Sequence, residues 1–213
     1  MAARVSESLI LRTYPYREAD LIVSFLARDL GKLRGVAQRA RRPKSKFGAG
    51  MERLSHIWLF YFQKETHELV TLDSCELIQS TFGLETDYAV TVALDYLAEV
   101  SDQILAPGEP NERFFRLLLA VLDHLRRLGS KGVWSAVTYF TLWSVRLAGF
   151  LPELKVSASS LALAEEMQLS PVSQLSNHQW TKHTAADLRR FLVRQLEEHL
   201  ERRLITAQML ENL

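Results

Sequence analysis

The stretch from Leu54 to Phe62 reads Leu-Ser-His-Ile-Trp-Leu-Phe-Tyr-Phe and is dense in aromatic and β-favouring residues. Such side chains pack well on a pleated, half-buried surface, so the stretch predicts a β-strand. The next run, from His67 to Ile78, alternates well enough to pair back onto it through the turn Gln63-Lys64-Glu65-Thr66. Together the two runs predict a β-hairpin.

Three more strands are predicted upstream of this hairpin. Residues Ser8–Thr13 are rich in aliphatic and β-branched residues, and Pro15 should end that strand because proline cannot donate to a ladder. Residues Leu21–Ala27 and Leu33–Ala37 flank the turn Asp29-Leu30-Gly31-Lys32, where a glycine is available for a positive φ. This pair predicts a second hairpin.

Five short strands within about eighty residues, with one long connection between the third and the fourth, are typical of a small closed barrel of the OB type. Barrels of this type bind oligonucleotides across a sheet face and its flanking loops. Beyond Phe82 the apolar period changes from two residues to about 3.6. We therefore predict an α+β protein, with an N-terminal five-stranded OB-fold barrel over residues 1–80 and an all-helical bundle domain over residues 81–213.

The first three helices of that bundle are predicted from their boundaries. The first ends near Leu105, and the second begins with Asn111 as its N-cap and stops before Gly129. The third, Val133–Ala148, has Arg146 as its single charge, so it lacks a polar face and should be the buried helix.

The end of the chain is predicted to contain one short helix and one long final helix. Residues 153–183 are rich in Ser, Ala and Leu, and we expect them to be irregular apart from one short helix around Leu161–Met167. The segment Thr184-Ala-Ala-Asp187 resembles a capping box, and it predicts a final amphipathic helix that continues to Leu204.

The long connection between the third and fourth predicted strands is basic. Seven cations fall between Lys32 and Lys46, and no acidic residue occurs between Asp29 and Glu52. Arg contributes bidentate phosphate contacts and Lys contributes point charges, so these groups can contact successive phosphates of a nucleic acid. The predicted DNA-binding residues are Lys32, Arg34, Arg39, Arg41, Arg42, Lys44, Lys46 and Phe47.

Alternatives stay open for this stretch. A solvated charged loop without a ligand is compatible with the same residues, and RNA presents the same phosphates and bases as DNA. Phe47 is compatible with two roles: its ring can stack on an unstacked base, or it can plug the place where the loop rejoins the barrel.

Composition restricts the setting of the protein. The formal net charge is +1, but residues 1–80 carry 13 Lys and Arg against 9 Asp and Glu, so the positive field belongs to the N-terminal part. The single cysteine, Cys75, cannot form an internal disulfide, which favours a reducing compartment. The longest uncharged apolar stretch, Gly132–Val145, is too short to span a bilayer. We expect a cytoplasmic protein without a membrane role.

Three blocks of the N-terminal part form a recognisable pattern. They are Thr13-Tyr-Pro-Tyr-Arg-Glu-Ala-Asp20 leading into Leu21-Ile-Val23, then Gly31-Lys-Leu-Arg-Gly-Val-Ala37, then Ala40-Arg-Arg-Pro-Lys-Ser-Lys-Phe-Gly48. The chain thereby resembles the RecO recombination mediator proteins over most of residues 5–80, and more weakly at Leu147–Pro152 and in the final helix.

The resemblance implies a function. It implies a bacterial, nucleoid-associated protein whose OB-fold binds single- and double-stranded DNA and which anneals complementary strands. It also implies help in loading a recombinase onto DNA coated with single-strand-binding protein, with RecR as a partner. A general single-stranded nucleic-acid adaptor, or a helical scaffold without mediator activity, is the alternative.

The chain departs from the family in the segment after Pro152. Many members carry a four-cysteine zinc site there, but residues 154–180 contain no cysteine, so that zinc-finger segment is lost. His178 and His183 have a spacing that zinc fingers use, but a structural site needs four ligands and no paired cysteines stand nearby. We expect no metal and no cofactor, and we expect Cys75 to be structural.

An enzyme is the competing class. The sequence contains no nucleophile elbow, phosphate-cradling glycine loop or HExxH element, and the paired acids Glu18 and Asp20 are too few for a metal nuclease. We therefore expect no catalytic residues. The resemblance further suggests that the helical domain binds the acidic, hydrophobic C-terminal tail of single-strand-binding protein. Arg126, Arg127 and Arg146 are the expected cations at the edge of an apolar groove lined by Leu122, Val137 or Leu142.

Overall fold

A computed structural model describes residues 2–63, 69–84, 86–175 and 179–213. The chain forms two compact units. The first comprises Met1–Gly83 and Ser101–Phe115, and the second comprises Leu84–Val100 and Arg116–Leu213. The predicted turn at residues 64–66, the start of the fifth strand at His67, and His178 lie outside the described residues.

The first unit contains a closed barrel. Its strands, among the described residues, are β1 (Ala2–Tyr16), β2 (Asp20–Ala27), β3 (Gly31–Ala37), β4 (His56–Gln63) and β5 (Leu69–Gln79). Around the barrel they follow the order β1-β2-β3-β5-β4, and β4 returns to β1. All neighbours are antiparallel except β3 and β5, which pair in parallel. The predicted five-stranded barrel is confirmed.

Alternation along the strands supplies the barrel core. In β4 the side chains of Ile57, Leu59 and Tyr61 point inward and expose at most 1% of their surface. The connection from β3 to β4 contains a 3₁₀ turn, Gly48–Met51, whose Met51 reaches the same core. The loop that carries the cations is therefore attached to the barrel interior.

The predicted end of the first strand at Pro15 is wrong, because β1 continues to Tyr16 and Pro15 pairs with Leu21 of β2. The reason lies in the neighbours of β1. Its pairing with β4 covers only Ala2 to Leu9, so the distal half of β1 has a strand on one side alone. A proline is tolerated on such a half-paired strand because its missing N–H breaks no ladder bond there.

Residues 101–115 pack against the turn between β2 and β3. The Lys32 ammonium donates to the Asp102 carbonyl, and the Gly108 amide donates to the Lys32 carbonyl at 2.9 Å. The Arg28 guanidinium donates to both carboxylate oxygens of Glu112, at 2.9 and 2.6 Å. The first unit therefore includes residues from well beyond the last barrel strand.

The remaining elements are helical. They are α1 (Tyr88–Ile104), α2 (Glu112–Leu128), α3 (Val133–Leu147), α4 (Ala158–Leu169), α5 (Ala186–Leu200) and α6 (Ile205–Glu211). The predicted N-cap of α2 is confirmed, because the Phe114 amide donates to Asn111 Oδ1 at 3.0 Å. The predicted buried helix is also confirmed, since 11 of the 15 residues of α3 are buried.

The short helix predicted around Leu161–Met167 is confirmed and is longer than expected: α4 spans 12 residues and is capped by the Ser157 side chain. The prediction for the final helix is wrong. The expected single final helix is two helices, because Glu201 adopts a left-handed conformation that ends α5 before α6 begins. The capping box is absent from these described residues: Ala185 is the N-cap of α5, and Asp187 instead accepts hydrogen bonds from Ser157 and Ser160.

Arg189 holds the start of α5 against α3. Its side chain is 5% exposed, lies 4.6 Å from the centre of the Trp134 ring and donates to Thr138 Oγ1 at 3.2 Å. It also donates to the backbone carbonyls of Lys182 and Thr184. Burial lowers the pKa of Arg189 to about 10. The buried guanidinium is thus satisfied by carbonyls, a hydroxyl and an aromatic face.

Gly31 generates the first testable prediction. Its φ is +74°, and a Cβ there would lie 2.1 Å from the Glu109 carbonyl oxygen; Gly108 has nearly the same φ, +72°, but open space around it. Gly108→Ala should therefore cost only the left-handed backbone energy, about 1–2 kcal/mol. Gly31→Ala adds a backbone clash and should cost about 3 kcal/mol or more. Urea unfolding of the two variants measures the difference, and equal losses would contradict the close packing of residues 101–115.

Asp187 generates a second prediction. Burial alone would raise the pKa of this carboxyl, but hydrogen bonds from the Ser160 hydroxyl and the Ser157 amide outweigh it and hold the pKa below its usual range. A carboxyl whose pKa is lower in the folded than in the unfolded chain stabilises the fold at pH values above its unfolded pKa, about 3.9. This stabilisation is lost as the pH falls toward the pKa of the folded state.

Asp187→Asn should therefore destabilise the protein at neutral pH by about 1 kcal/mol, a value already reduced for solvent screening. The difference from the wild type should narrow below about pH 4. Denaturant unfolding at several pH values measures this, with Glu165→Gln as the control because Glu165 is an exposed carboxylate on α4. A difference independent of pH would show that the carboxylate charge is not what stabilises the segment.

Candidate nucleic-acid interface

The basic loop, residues 38–46, leaves the end of β3 and is anchored through its backbone. The Arg39 amide donates to Asp20 Oδ1 at 2.8 Å, and the Arg41 amide donates to the Ala19 carbonyl at 3.0 Å. Both acceptors belong to the tip of the β1–β2 hairpin. Arg39 and Lys44 take left-handed conformations, with φ values of 55° and 61°, which turn the chain sharply at both positions. The loop is therefore held in place mainly by its backbone, and of its cationic side chains Arg41 adds a hydrogen bond to the Glu18 carbonyl at 3.4 Å.

The basic loop lines one side of a cleft of about 460 Å³. Four cations contribute from the loop: Arg39, Arg42, Lys44 and Lys46. The opposite side is formed by β4 and β5 through Phe62, Thr71 and Asp73. We call this feature the basic cleft. The basic cleft combines positive charge with the partly exposed ring of Phe62. Proteins that bind single-stranded nucleic acids use this combination.

Most of the predicted cations are exposed and unpaired. Within the described residues, no carboxylate lies at ion-pair distance from the side chains of Arg34, Arg39, Arg41, Arg42 and Lys44. Lys46 is 3.2 Å from Asp73, with 70% of the Lys46 side chain and 41% of the Asp73 side chain exposed. An ion pair this exposed is weak, so a phosphate can replace the carboxylate at small cost.

Two of the predicted residues are buried. Lys32 is 8% exposed and its ammonium is held by the Asp102 carbonyl, so it faces residues 101–115 rather than solvent. Burial lowers its pKa, Asp102 opposes that shift and Arg34 adds to it. Phe47 is 4% exposed and packs in the barrel core, which corresponds to the plug rather than the stacking platform.

Sequence reasoning missed several side chains beside the loop. On the β1–β2 hairpin the Arg12 guanidinium lies 5.0 Å from the centre of the Tyr14 ring, and Arg17 lies 5.1 Å from that of Tyr16. Phe62, at the end of β4, lines the basic cleft itself. The signal was present in the period of two, because Tyr14 and Tyr16 must share one face of any strand that runs through Pro15.

The apolar residues predicted to line a groove in the helical part are in the core. Leu122 and Leu142 have no exposed surface and Val137 is 2% exposed, so they are unavailable to a partner. The predicted lining is therefore wrong. The reason is that α2 turns its apolar face inward, whereas α3, which carries Val137 and Leu142, is buried over most of its surface.

The three arginines expected at that groove are divided between two helices, with Arg126 and Arg127 at the end of α2 and Arg146 on α3. Arg126 is paired with Asp123 at 2.9 Å, and burial lowers its pKa while Asp123 opposes the shift. His124 bonds Ser135 at 2.8 Å, which brings the end of α2 to the start of α3. Arg146 lies about 16 Å further along the axis of α3 than Ser135, at a rise of about 1.5 Å per residue. Arg127 and Arg146 remain exposed, but as separate surface positions.

No group of three or more metal-ligating side chains occurs among the residues that the structure describes. His183, the second of the two histidines whose spacing resembles that of zinc fingers, is exposed. Cys75 is half-buried, donates to the Phe47 carbonyl at 3.2 Å, and has its pKa raised to about 11 by burial. A thiol with that pKa is protonated near neutral pH and is a poor metal ligand. Across the described part of the chain, no helix is long and apolar enough to cross a membrane.

Comparison with known proteins gives consistent matches. Residues 1–81 match the family model for the N-terminal part of recombination protein O, and residues 85–160 match the model for its C-terminal part. A DNA repair protein RecO from Koribacter versatilis (strain Ellin345) is 39% identical over 98% of this chain and 98% of its own length. That alignment extends over 242 positions, more than the 213 residues of this chain, so the relative has residues without a counterpart here.

Two further relatives match a shorter region. DNA repair protein RecO from Bifidobacterium animalis subsp. lactis (strain AD011) is 37% identical over 60% of this chain, and that from Moorella thermoacetica (strain ATCC 39073 / JCM 9320) is 30% identical over 72%. The matches span 53% and 55% of those two proteins, a little over half of their lengths.

Metal removal provides the third prediction. Because Cys75 is the sole cysteine and a structural zinc site needs four ligands, a chelator should leave the melting temperature unchanged. Thermal unfolding with and without EDTA measures this, alongside elemental analysis of the purified protein. Stoichiometric zinc would overturn the prediction, and alanine substitution of His178 and His183 would then test whether those residues bind it.

Proposed function

The chain belongs to the RecO family of DNA repair proteins, and from that premise we propose that it acts by binding DNA through the basic cleft of its barrel. The observation that carries the proposal is the set of exposed cations that line that cleft, of which Arg39, Arg42 and Lys44 have no carboxylate partner among the described residues. Neutralising phosphates with such groups releases counterions, which supplies most of the affinity of a sequence-independent interface.

The proposed interface uses six of the predicted cations. They are Arg34, Arg39, Arg41, Arg42, Lys44 and Lys46. Lys32 is left out because its ammonium is buried, and Phe47 is left out because its ring is in the core. Backbone anchoring of the loop favours binding, since a loop that is already ordered loses less entropy when it meets its ligand.

The wider activity rests on family membership. The protein anneals complementary strands and assists the loading of recombinase onto DNA coated with single-strand-binding protein, with RecR as partner. It does so in the bacterial cytoplasm at the nucleoid, by binding rather than by catalysis. The barrel over residues 1–80 contacts the DNA, and the helical domain over residues 81–213 contacts the acidic tail of single-strand-binding protein. Of the three arginines predicted for that contact, Arg127 and Arg146 are exposed and available to carboxylates of the tail.

The salt dependence of binding tests the interface. If about five of the six cations contact a single strand, the slope of log affinity against log salt should be near −3.5. Replacing Arg41 and Arg42 together with Ala removes two candidate phosphate contacts and should flatten the slope by about one unit. Fluorescence anisotropy with labelled single-stranded DNA at several salt concentrations measures both slopes.

A matched control removes the same charge elsewhere. Lys131 and Lys155 are exposed cations of the second unit, and replacing both with Ala should leave the slope unchanged. Flattening of equal size in the control would mean that total charge, rather than the basic cleft, drives binding. An unchanged slope in the Arg41 and Arg42 variant would reject the interface, and stronger binding of competing RNA would favour a general nucleic-acid adaptor.

A further inference from the structure

The outer face of β4 carries three aromatic residues in a row. Trp58, Phe60 and Phe62 alternate with the core residues of the same strand, so all three rings lie on the outside of the barrel. Trp58 exposes 42% of its surface, and Phe60 and Phe62 are partly exposed. We call these three residues the aromatic ladder. Most exposed aromatics occur singly, so a row of three on one strand calls for an explanation.

The neighbouring strands leave the upper part of the aromatic ladder open. Phe62 is flanked by Ala3 of β1 and Thr71 of β5, and Phe60 is flanked by Val5 and Ser74. These are short side chains, which cannot fold over an aromatic face.

The end of the aromatic ladder at Trp58 is closed, in contrast to the end at Phe62. At Trp58 the flanking residues are Glu7 and Glu76. Glu7 is held by Arg28 at 2.7 Å and by His56 at 2.8 Å, and the His56 ring in turn lies 6.0 Å from that of Phe115. A ligand on the ladder therefore extends from Trp58 in one direction only, toward Phe62.

The open end of the aromatic ladder leads into the basic cleft. Phe62 lines the cleft together with Arg39, Arg42 and Lys44, so the last ring of the ladder is also a wall of the charged site. A polymer whose phosphates occupy the cleft can thus continue along β4 with its bases against the rings. Positive charge at one end and aromatic faces beyond it are complementary to a single-stranded nucleic acid.

We propose that the aromatic ladder binds the unstacked bases of single-stranded DNA that enters from the basic cleft. Alternate residues of a strand are about 6.7 Å apart, roughly twice the 3.4 Å rise between neighbouring bases of duplex DNA. Bases that stack on successive rings must therefore separate from each other, and a duplex does not allow that. The ladder makes the site selective for single strands, an inference that rests on the proposed DNA-binding function.

The test uses the full-length protein and compares a labelled oligothymidine with a duplex of the same length. Phe60→Ala and Trp58→Ala should each weaken binding of the oligothymidine by about 5- to 150-fold, the range expected for loss of one stacked base. Duplex affinity and the salt slope should not change, because no phosphate contact is lost. Trp58→Phe keeps an aromatic face and should retain most of the affinity.

Phe82→Ala is the matched control, since Phe82 is an aromatic of the same unit with 68% of its surface exposed. Melting curves establish that each variant is folded. If Trp58→Ala fails to fold, the DNA-induced quenching of tryptophan fluorescence in the wild type serves instead, and it should be reduced in Trp58→Phe.

The outcomes separate the two proposals. A wild-type protein that binds no DNA at any salt concentration would reject the proposed function itself. The proposal for the aromatic ladder alone would be overturned if the wild type binds DNA with a steep salt slope but the ladder variants keep full affinity for the oligothymidine and unchanged quenching. The proposed DNA binding through the basic cleft would then still stand. Equal weakening of single-strand and duplex binding would also overturn it.

Discussion

Phe47 lies in the barrel core with Met51, and its carbonyl accepts a hydrogen bond from Cys75 on β5. Because a five-stranded barrel closes through a parallel pair, β3 and β5, the chain must leave β3 and return to β4 by a long connection. Burial of the Phe47 ring contributes about 1.5–3 kcal/mol and fixes where that connection ends. The cations that precede Phe47 are then held at the surface.

The same constraint brings together residues that are distant in sequence. Once the connection is plugged at Phe47, residues 39–46 can only cross beside the ends of β4 and β5, where Phe62 and Asp73 meet them. Anchoring at the β1–β2 hairpin then turns the arginine side chains outward. The basic cleft therefore follows from one buried aromatic ring and a few backbone hydrogen bonds.

Local patterns in the sequence were enough to predict the barrel strands, the N-cap at Asn111 and the burial of α3, because each depends on neighbours a few residues away. The basic stretch was equally visible as composition. What composition does not contain is direction: Lys32 and Arg34 are two residues apart in β3, yet the first is buried and the second is exposed, because residues 101–115 cover only one of them.

The remaining errors have the same origin. Pro15 ends a strand only where a neighbour would need its N–H, and that depends on where β4 stops. Asp187 occupies the acidic position of a capping box in sequence, but its carboxylate accepts hydrogen bonds from Ser157 and Ser160, about thirty residues earlier. The core positions of Leu122 and Leu142 likewise depend on which faces the helices turn toward each other. Long-range partners of this kind leave no periodic trace in a single sequence.

Inclusion of residues 101–115 in the first unit has a consequence for synthesis of the chain. The last barrel strand ends at Gln79, but Asp102, Gly108 and Glu112 supply the groups that pack against Lys32 and Arg28. A ribosome that adds about 5–20 residues per second needs roughly two to seven seconds to pass from residue 79 to residue 115. Residue 115 therefore leaves the ribosome that much later than residue 79, and until then the five strands lack the contacts that residues 101–115 provide.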